Sequence, residues 1–247
     1  MAMLEEMQEI TTVTALVPAA GCGARAGLNG NKILAPLAGK PLLWWTLRAL
    51  TVAEAMPSDM RLTELIIAAR REEFALIEPV LKGLDVPVRL VEGGATRQES
   101  VANAARLATG DLILVHDAAR PLISPDVIAR VCRAAHESGA AIAALPASDT
   151  VKAARVQGDG KIIINETLER SGIWLAQTPQ VFERTILLKA LENAVLESFE
   201  GTDCASLVER LSGFNGEPVP VAVVEGETRN FKVTFPSDLE RAALLMQ

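Results

Sequence analysis

The sequence predicts an α/β fold, a doubly wound and mostly parallel sheet with a β-arm protruding from it. Three observations carry that prediction. Short apolar runs alternate with amphipathic segments from Val13 to Ala147. The runs are apolar throughout rather than at every second residue, the pattern of strands covered on both faces. After Ser148 the rhythm breaks into a polar stretch with a hairpin turn at its centre. With 247 residues, 49% of them hydrophobic, the chain can bury one sizeable core. A single domain over residues 1–247 is expected, with the arm at about 148–180.

Each element has its own local reason. "VTALVPAA" (13–20), "ELIIAAR" (64–70), "VRLVEGG" (88–94), "DLILVHDA" (111–118) and "AAIAALPA" (140–147) read as buried strands. The helical patterns between them are "PLLWWTLRAL", "EEFALIEPVLKGL", "RQESVANAARLA" and "SPDVIARVCRAAHESG". In the last, Ser124 is a good N-cap and Pro125 suits the first helical position. Trp44 and Trp45 fall in an amphipathic helix and read as core. Strict alternation of strand and helix implies a doubly wound sheet. In "DTVKAARVQGDGKIIINETLERSGIWLAQTPQVF", "QGDG" is the turn of a hairpin too polar on both faces to be core. It reads as an excursion reaching toward another subunit. Helices return at "ERTILLKALENAV" and "TDCASLVERLSG", then strands at "PVAVVEG" and "NFKVT", and a last helix from Ser237.

Composition excludes several function classes. The net charge of −7 offers no basic surface to nucleic acid or to a membrane. No apolar run approaches the roughly 18 residues of a membrane span. "MAMLEEMQEI" lacks the basic and apolar regions of a signal peptide, so a cytoplasmic location is expected. Cys22, Cys132 and Cys204 are too far apart for a zinc site. Cys132 reads as core; Cys22, inside a glycine loop, is either a bystander or a reactive thiol.

Ligands of such sheets bind beyond the carboxyl ends of the strands. Those ends carry Ala19-Ala20-Gly21, Gly93-Gly94, His116-Asp117 and Ser148-Asp149-Thr150, which should converge on one crevice. The first leads into "GCGARAGLNGNK". Gly21, Gly23 and Ala26 match the dinucleotide pattern G-x-G-x-x-A, which also requires a helix to start at once. Instead Gly27, Asn29, Gly30 and Asn31 follow, and Pro36 closes off any helix. The acid expected about twenty residues on is missing, and no Walker lysine follows at the required spacing. What remains is a long loop whose backbone N–H groups can line an anion, with Arg25 and Lys32 closing over it. Two cations without an acid point to a polyphosphate.

Asp117 ends a strongly apolar strand, where a carboxylate is costly unless it finds a cation. It is either an N-cap or salt-bridge partner of Arg120, or a magnesium ligand beside the phosphates. His116 reads as packing or orienting the turn. With His136 the only other histidine, no Ser-His-Asp arrangement is available.

"PAAGxGxR", Lys32, "GGxxRxxS", "HDAARP", "DTVK", "RSGIW", "QTPQ", "TD" and "NFKVT" occur in this order. From about residue 13 to the C-terminus the chain resembles the 2-C-methyl-D-erythritol 4-phosphate cytidylyltransferases. "HDAARP", the arm and the "KVT" tail are specific to that family and the closely similar ribitol-5-phosphate cytidylyltransferases. The resemblance implies a Rossmann-like sheet of the nucleotide-diphospho-sugar transferase type. It implies CMP transfer from CTP to a polyol phosphate with Mg²⁺, in a homodimer joined through the arm. Arg25 and Lys32 match the family's transition-state cations, and Asp117 its magnesium-binding aspartate. Ala19, Ala20, Gly21, Gly23, Gly94 and Ser100 match positions around CTP. Arg120, Thr150, Arg170, Thr202 and Lys232 match positions around the second substrate, with Thr150 and Arg170 crossing to the partner subunit.

The chain also departs from the pattern. Asn31 stands where proline usually precedes the loop lysine. Cys204 follows Thr202-Asp203 where an acid is usual, and Arg229 precedes Asn230 where an acid is frequent. The last two flank the substrate pocket and bear on which polyol phosphate is taken, such as D-ribitol 5-phosphate in place of the methylerythritol compound. A nucleotide-binding regulator without turnover would be expected to have lost at least one of Arg25, Lys32 and Asp117; all three are present.

Overall fold

The structure is a computed structural model that describes residues 10–21, 31–212 and 217–246. Cys22, Gly23 and Arg25 lie outside the described residues.

In chain order the strands are β1 (Thr11–Pro18), β2 (Pro36–Leu37), β3 (Lys40–Pro41), β4 (Met60–Ala69), β5 (Val88–Glu92), β6 (Leu112–Val115), β7 (Ala140–Pro146), β8 (Lys152–Val156), β9 (Ile162–Thr167), β10 (Trp174–Glu183) and β11 (Ala222–Glu225). The helices are α1 (Leu42–Thr51), α2 (Phe74–Ile77), α3 (Arg97–Ala105), α4 (Pro125–Ser138), α5 (Arg184–Leu196), α6 (Ala205–Val208) and α7 (Pro236–Leu245). Among the described residues the main sheet has seven strands in the order β11-β7-β10-β6-β1-β4-β5. All neighbours are parallel except β10, which is antiparallel to both β6 and β7.

The double winding follows from the pleat. Val13, Ala15 and Val17 face one way, onto Leu43 and Leu47 of α1 and Val127, Ile128 and Val131 of α4. Leu16 faces the other way, onto Val101 and Ala104 of α3 and Leu187 and Leu191 of α5. Both faces are buried, so β1 reads as apolar throughout. Ser124 caps α4 by accepting from the Val127 amide, and Gly139 closes it in the left-handed region at φ 82°.

Four elements differ from the sequence reading. "EEFALIEPVLKGL" is not one helix but a 3₁₀ turn, α2, and a second 3₁₀ turn over Glu78–Leu81. Pro79 in its midst has no N–H for a continuous ladder. "TDCASLVERLSG" is helical only over α6. "NFKVT" is extended but joins no ladder; it is tied down where the Val233 amide donates to the Ala119 carbonyl at 2.8 Å.

The fourth is the largest correction. The C-terminal part of the stretch assigned to the arm is β10, the strand that fills the centre of the sheet, with Gln177–Phe182 buried. Its polar residues hid this, yet distant groups satisfy them. The Gln180 amide bonds Asp203 and the Cys204 N–H, and Gln177 bonds the Glu227 carbonyl and Asn230. The arm proper is the β8–β9 hairpin, a separate two-stranded sheet. It is exposed as expected, but it is not uniformly polar: Val156, Ile162 and Ile164 are 72%, 72% and 58% exposed.

Candidate active site

A cleft of about 460 Å³ opens at the carboxyl ends of β1 and β6. It gathers Ala19, Ala20, Gly21, Lys32, Gly94, Ser100, Asp117 and Lys232, residues spread over more than 200 positions of the sequence. The convergence expected of the strand ends holds for three of the four. Ser148-Asp149-Thr150 leads from β7 into the arm and does not line the cleft.

The cleft wall around Gly94 is set by close packing. A Cβ on Gly93 would come within 2.5 Å of the Ala20 Cβ, and one on Gly94 within 2.2 Å of the Glu99 Cβ. The Ser100 hydroxyl accepts from the Gly94 N–H at 3.1 Å and donates to the Thr96 carbonyl at 2.9 Å. Ser100 therefore shapes the glycine pair that faces the ligand space. Thr96 and Glu99 form a capping box, so the N-terminus of α3 is ordered at the cleft rim.

Asp117, 7% exposed, is surrounded by cations. Arg97 reaches Oδ1 through Nη2 at 3.2 Å and Nε at 3.3 Å. Lys232 Nζ lies 2.9 Å and Arg120 Nε 3.6 Å from Oδ2. Burial pushes the carboxyl pKa up, but the charges of Arg97, Lys232 and Arg120 outweigh it and hold the group well below the usual carboxylate range. Arg97 is the arginine of "GGxxRxxS", a position to which the sequence reading gives no role of its own. Its signal is a cation three residues before Ser100, at the first turn of α3.

Cys204 explains part of this balance. Arg97 Nη1 donates to its Sγ at 3.6 Å, and burial pushes the thiol pKa up despite Arg97. A neutral thiol thus stands beside Arg97 and adds no negative charge there. Three cations share one carboxylate, and the surplus positive charge faces a cleft suited to a polyanion. Arg229, the other departure, does not line this cleft; it lines a second, smaller one of about 270 Å³ with Trp45 and Ser124.

The remaining site residues sit elsewhere. Arg120 is 9% exposed and donates through Nη1 to the Asn230 carbonyl at 2.6 Å. It braces Asp117 and does not line the cleft. Thr202 is exposed in the loop before α6. Thr150 and Arg170 are exposed, and Arg170 Nη1 donates to the Ser148 carbonyl at 2.5 Å.

His116 orients the turn, as the sequence suggested. The Thr178 hydroxyl oxygen accepts from the Asp117 N–H at 3.0 Å and sits 3.1 Å from His116 Nδ1. The hydroxyl proton therefore points to Nδ1, and Nε2–H donates to the Arg120 carbonyl at 3.1 Å. Burial pushes the imidazole pKa down to about 4 from 6.5. Below pH 6.5 the unfolded chain takes up a proton that the folded chain refuses until about pH 4. Stability therefore falls with pH across that window. His116 alone is expected to cost about 2–3 kcal/mol between pH 7 and 4.5. Urea unfolding at the two pH values should show a smaller fall for His116→Gln by that amount. Equal falls would contradict a buried, neutral imidazole.

Among the described residues no group of three or more His, Cys, Asp or Glu could hold a metal ion. Asp117 alone could contribute one carboxylate to a cation that draws its other oxygens from phosphate and water, the usual manner of Mg²⁺. No helix among the described residues is long and apolar enough to cross a membrane.

A doubly wound sheet with a cation-lined cleft at its strand ends defines a nucleotidyltransferase-like protein, and the solved structures it superimposes on are of that kind. One is the 2-C-methyl-D-erythritol 4-phosphate cytidylyltransferase of Thermus thermophilus, 36% identical with a TM-score of 0.73, covering 96% of this chain and 98% of that one. The chain belongs to the 2-C-methyl-D-erythritol 4-phosphate cytidylyltransferase family, whose sequence model matches residues 13–247. The enzyme of that name from Thermosynechococcus vestitus is 40% identical, with 94% of each chain covered. The bifunctional enzyme IspD/IspF of Anaeromyxobacter sp. (strain Fw109-5) is 43% identical over 95% of this chain, which spans 57% of that protein's length.

Proposed function

We propose that this chain transfers the cytidylyl group of CTP to 2-C-methyl-D-erythritol 4-phosphate, giving 4-diphosphocytidyl-2-C-methyl-D-erythritol and pyrophosphate. The observation that carries the reading is that Lys32, Lys232 and Arg97 line one cleft with the small residues Ala19, Ala20, Gly21 and Gly94. The small residues leave room for a nucleotide against the backbone, and the cations meet its phosphates. Family membership supplies the substrate class.

The acceptor phosphate oxygen is already anionic, so the chain needs no nucleophile and no strong base. Its work is in-line positioning and neutralisation of charge at the α-phosphate and the departing pyrophosphate. Lys32 sits at the end of the glycine loop, where it can meet that charge, and the sequence resemblance assigns Arg25 the same task. Lys232 and Arg97 bind acceptor or nucleotide phosphate from the Asp117 side. Asp117 is the residue that would hold a Mg²⁺ ion, which would supply Lewis-acid charge neutralisation at the phosphates. Thr150 and Arg170 do not line the cleft of their own chain. The hairpin beside them exposes Val156, Ile162 and Ile164. Both points favour a homodimer in which the arm serves the partner's site.

The test is pyrophosphate release with each nucleotide, with and without chelator, against a panel of polyol phosphates. We expect turnover with CTP, loss on chelation, and 2-C-methyl-D-erythritol 4-phosphate preferred over D-ribitol 5-phosphate. The rigid wall at Gly93 and Gly94 should make kcat/KM for CTP at least about 100-fold above that for ATP or GTP. Comparable turnover with a purine nucleotide would overturn the base assignment; preference for ribitol phosphate would overturn the acceptor.

A further inference from the structure

Asn31 is 7% exposed, and a buried amide is tolerated when its polar atoms are bonded. Here all are. Nδ2 donates to the Ala19 carbonyl at 2.9 Å and to Glu73 Oε2 at 2.9 Å, and Oδ1 accepts from the Ile33 N–H at 3.3 Å. These bonds join three segments: the chain just past β1, the 3₁₀ turn Lys32–Leu34, and the 3₁₀ turn Arg71–Glu73 that follows β4. Glu73 is itself 4% exposed and ion-paired to Arg70. Nothing in the cytidylyl-transfer reading uses Glu73, yet a carboxylate is buried there and accepts from Asn31.

The turn that Asn31 caps carries Lys32. It is closed by the Leu34 N–H on the Asn31 carbonyl and the Ala35 N–H on the Lys32 carbonyl, both at 3.0 Å. A lysine has a long flexible stem, so a preorganised charge needs its backbone held. Asn31 has φ −78° and ψ 119°, close to the φ that a proline ring imposes. Asn31 holds this backbone by side-chain bonds to two neighbouring segments.

We propose that Asn31 is a positioning residue for Lys32, anchoring it through Ala19 and Glu73 at the height where it meets the reacting phosphates. The proposal rests on the reading that Lys32 stabilises charge in the transition state. It is tested with Asn31→Ala, Asn31→Ser, Lys32→Ala and the double variant Asn31→Ala/Lys32→Ala, measuring kcat, KM for CTP and thermal midpoint. A displaced reactive group commonly costs up to about 100-fold in rate, so we expect Asn31→Ala to lower kcat about 10- to 100-fold while KM stays within about threefold. Serine keeps a capping oxygen for the Ile33 N–H but is too short to reach Glu73. Asn31→Ser should therefore show the same loss, and it carries the test if alanine does not fold. In the Lys32→Ala background the Asn31 substitution should cost less than about twofold, because its effect passes through the missing ammonium.

Normal kcat in both single variants, beside a slow Lys32→Ala, overturns the proposal alone. An equal fall in both backgrounds also overturns it and leaves a structural role. A Lys32→Ala enzyme with near-normal kcat overturns the reading of Lys32, and this proposal with it.

Discussion

Replacing Lys32 by alanine is expected to lower kcat about 10²- to 10³-fold while changing CTP binding much less, as for other preorganised contacts made mainly in the transition state. Lys32 begins a short 3₁₀ turn capped by a buried asparagine, and it lines the same cleft as Asp117 and Lys232. The loss corresponds to about 3–4 kcal/mol of transition-state stabilisation. Steady-state kinetics with CTP varied at saturating acceptor separate the two possibilities. A near-normal kcat with a raised KM would assign Lys32 to holding substrate.

The second large effect is a recovery. Lys32→Ala and Arg170→Ala enzymes should each be nearly inactive, although Arg170 lies on the arm, exposed and outside the cleft of its own chain. If each site takes Lys32 from one chain and Arg170 from the other, a dimer of one variant with the other has one site with both defects and one with neither. Unfolding the two together and refolding an equal mixture makes about half the dimers mixed, so activity should return to about a quarter of wild type. Were both residues to serve their own chain's site, every site would keep one defect. No recovery, with subunit exchange confirmed by mass spectrometry, would end the shared-site account.

The two experiments depend on parts of the molecule that were unequally legible. Lys32 stood out because a glycine loop with cations and no acid has few uses, and the structure places it in the cleft with Asp117 as expected. Asp117 was conspicuous as a carboxylate closing the apolar strand β6. Its partners were not all visible. Arg120 is one turn away and was named as a salt-bridge partner; Arg97, twenty positions earlier, and Lys232, far downstream, meet it only in the folded chain. Arg120 was also assigned to substrate through the resemblance, but the structure spends it on Asp117 and Asn230.

By itself the sequence determined the fold class and the four buried parallel strands β1, β4, β6 and β7, because a buried strand must be apolar along its length and each run is local; β5, read as buried too, is the edge strand of the sheet and has no buried residue. It also indicated where a cleft would open, since ligands of such sheets gather at carboxyl ends, and a cleft lined by Ala19, Gly94 and Asp117 is there. Only the tertiary structure decided that β10 is a central strand. Gln177, Thr178 and Gln180 are polar, and what makes their burial tolerable are bonds to Asn230, His116, Asp203 and Cys204, none of which sequence periodicity can announce. The same holds for the clamp on Lys32. Asn31 and Glu73 are 42 residues apart, and an amide next to a carboxylate becomes a fixed contact only when folding removes the water that would otherwise satisfy both.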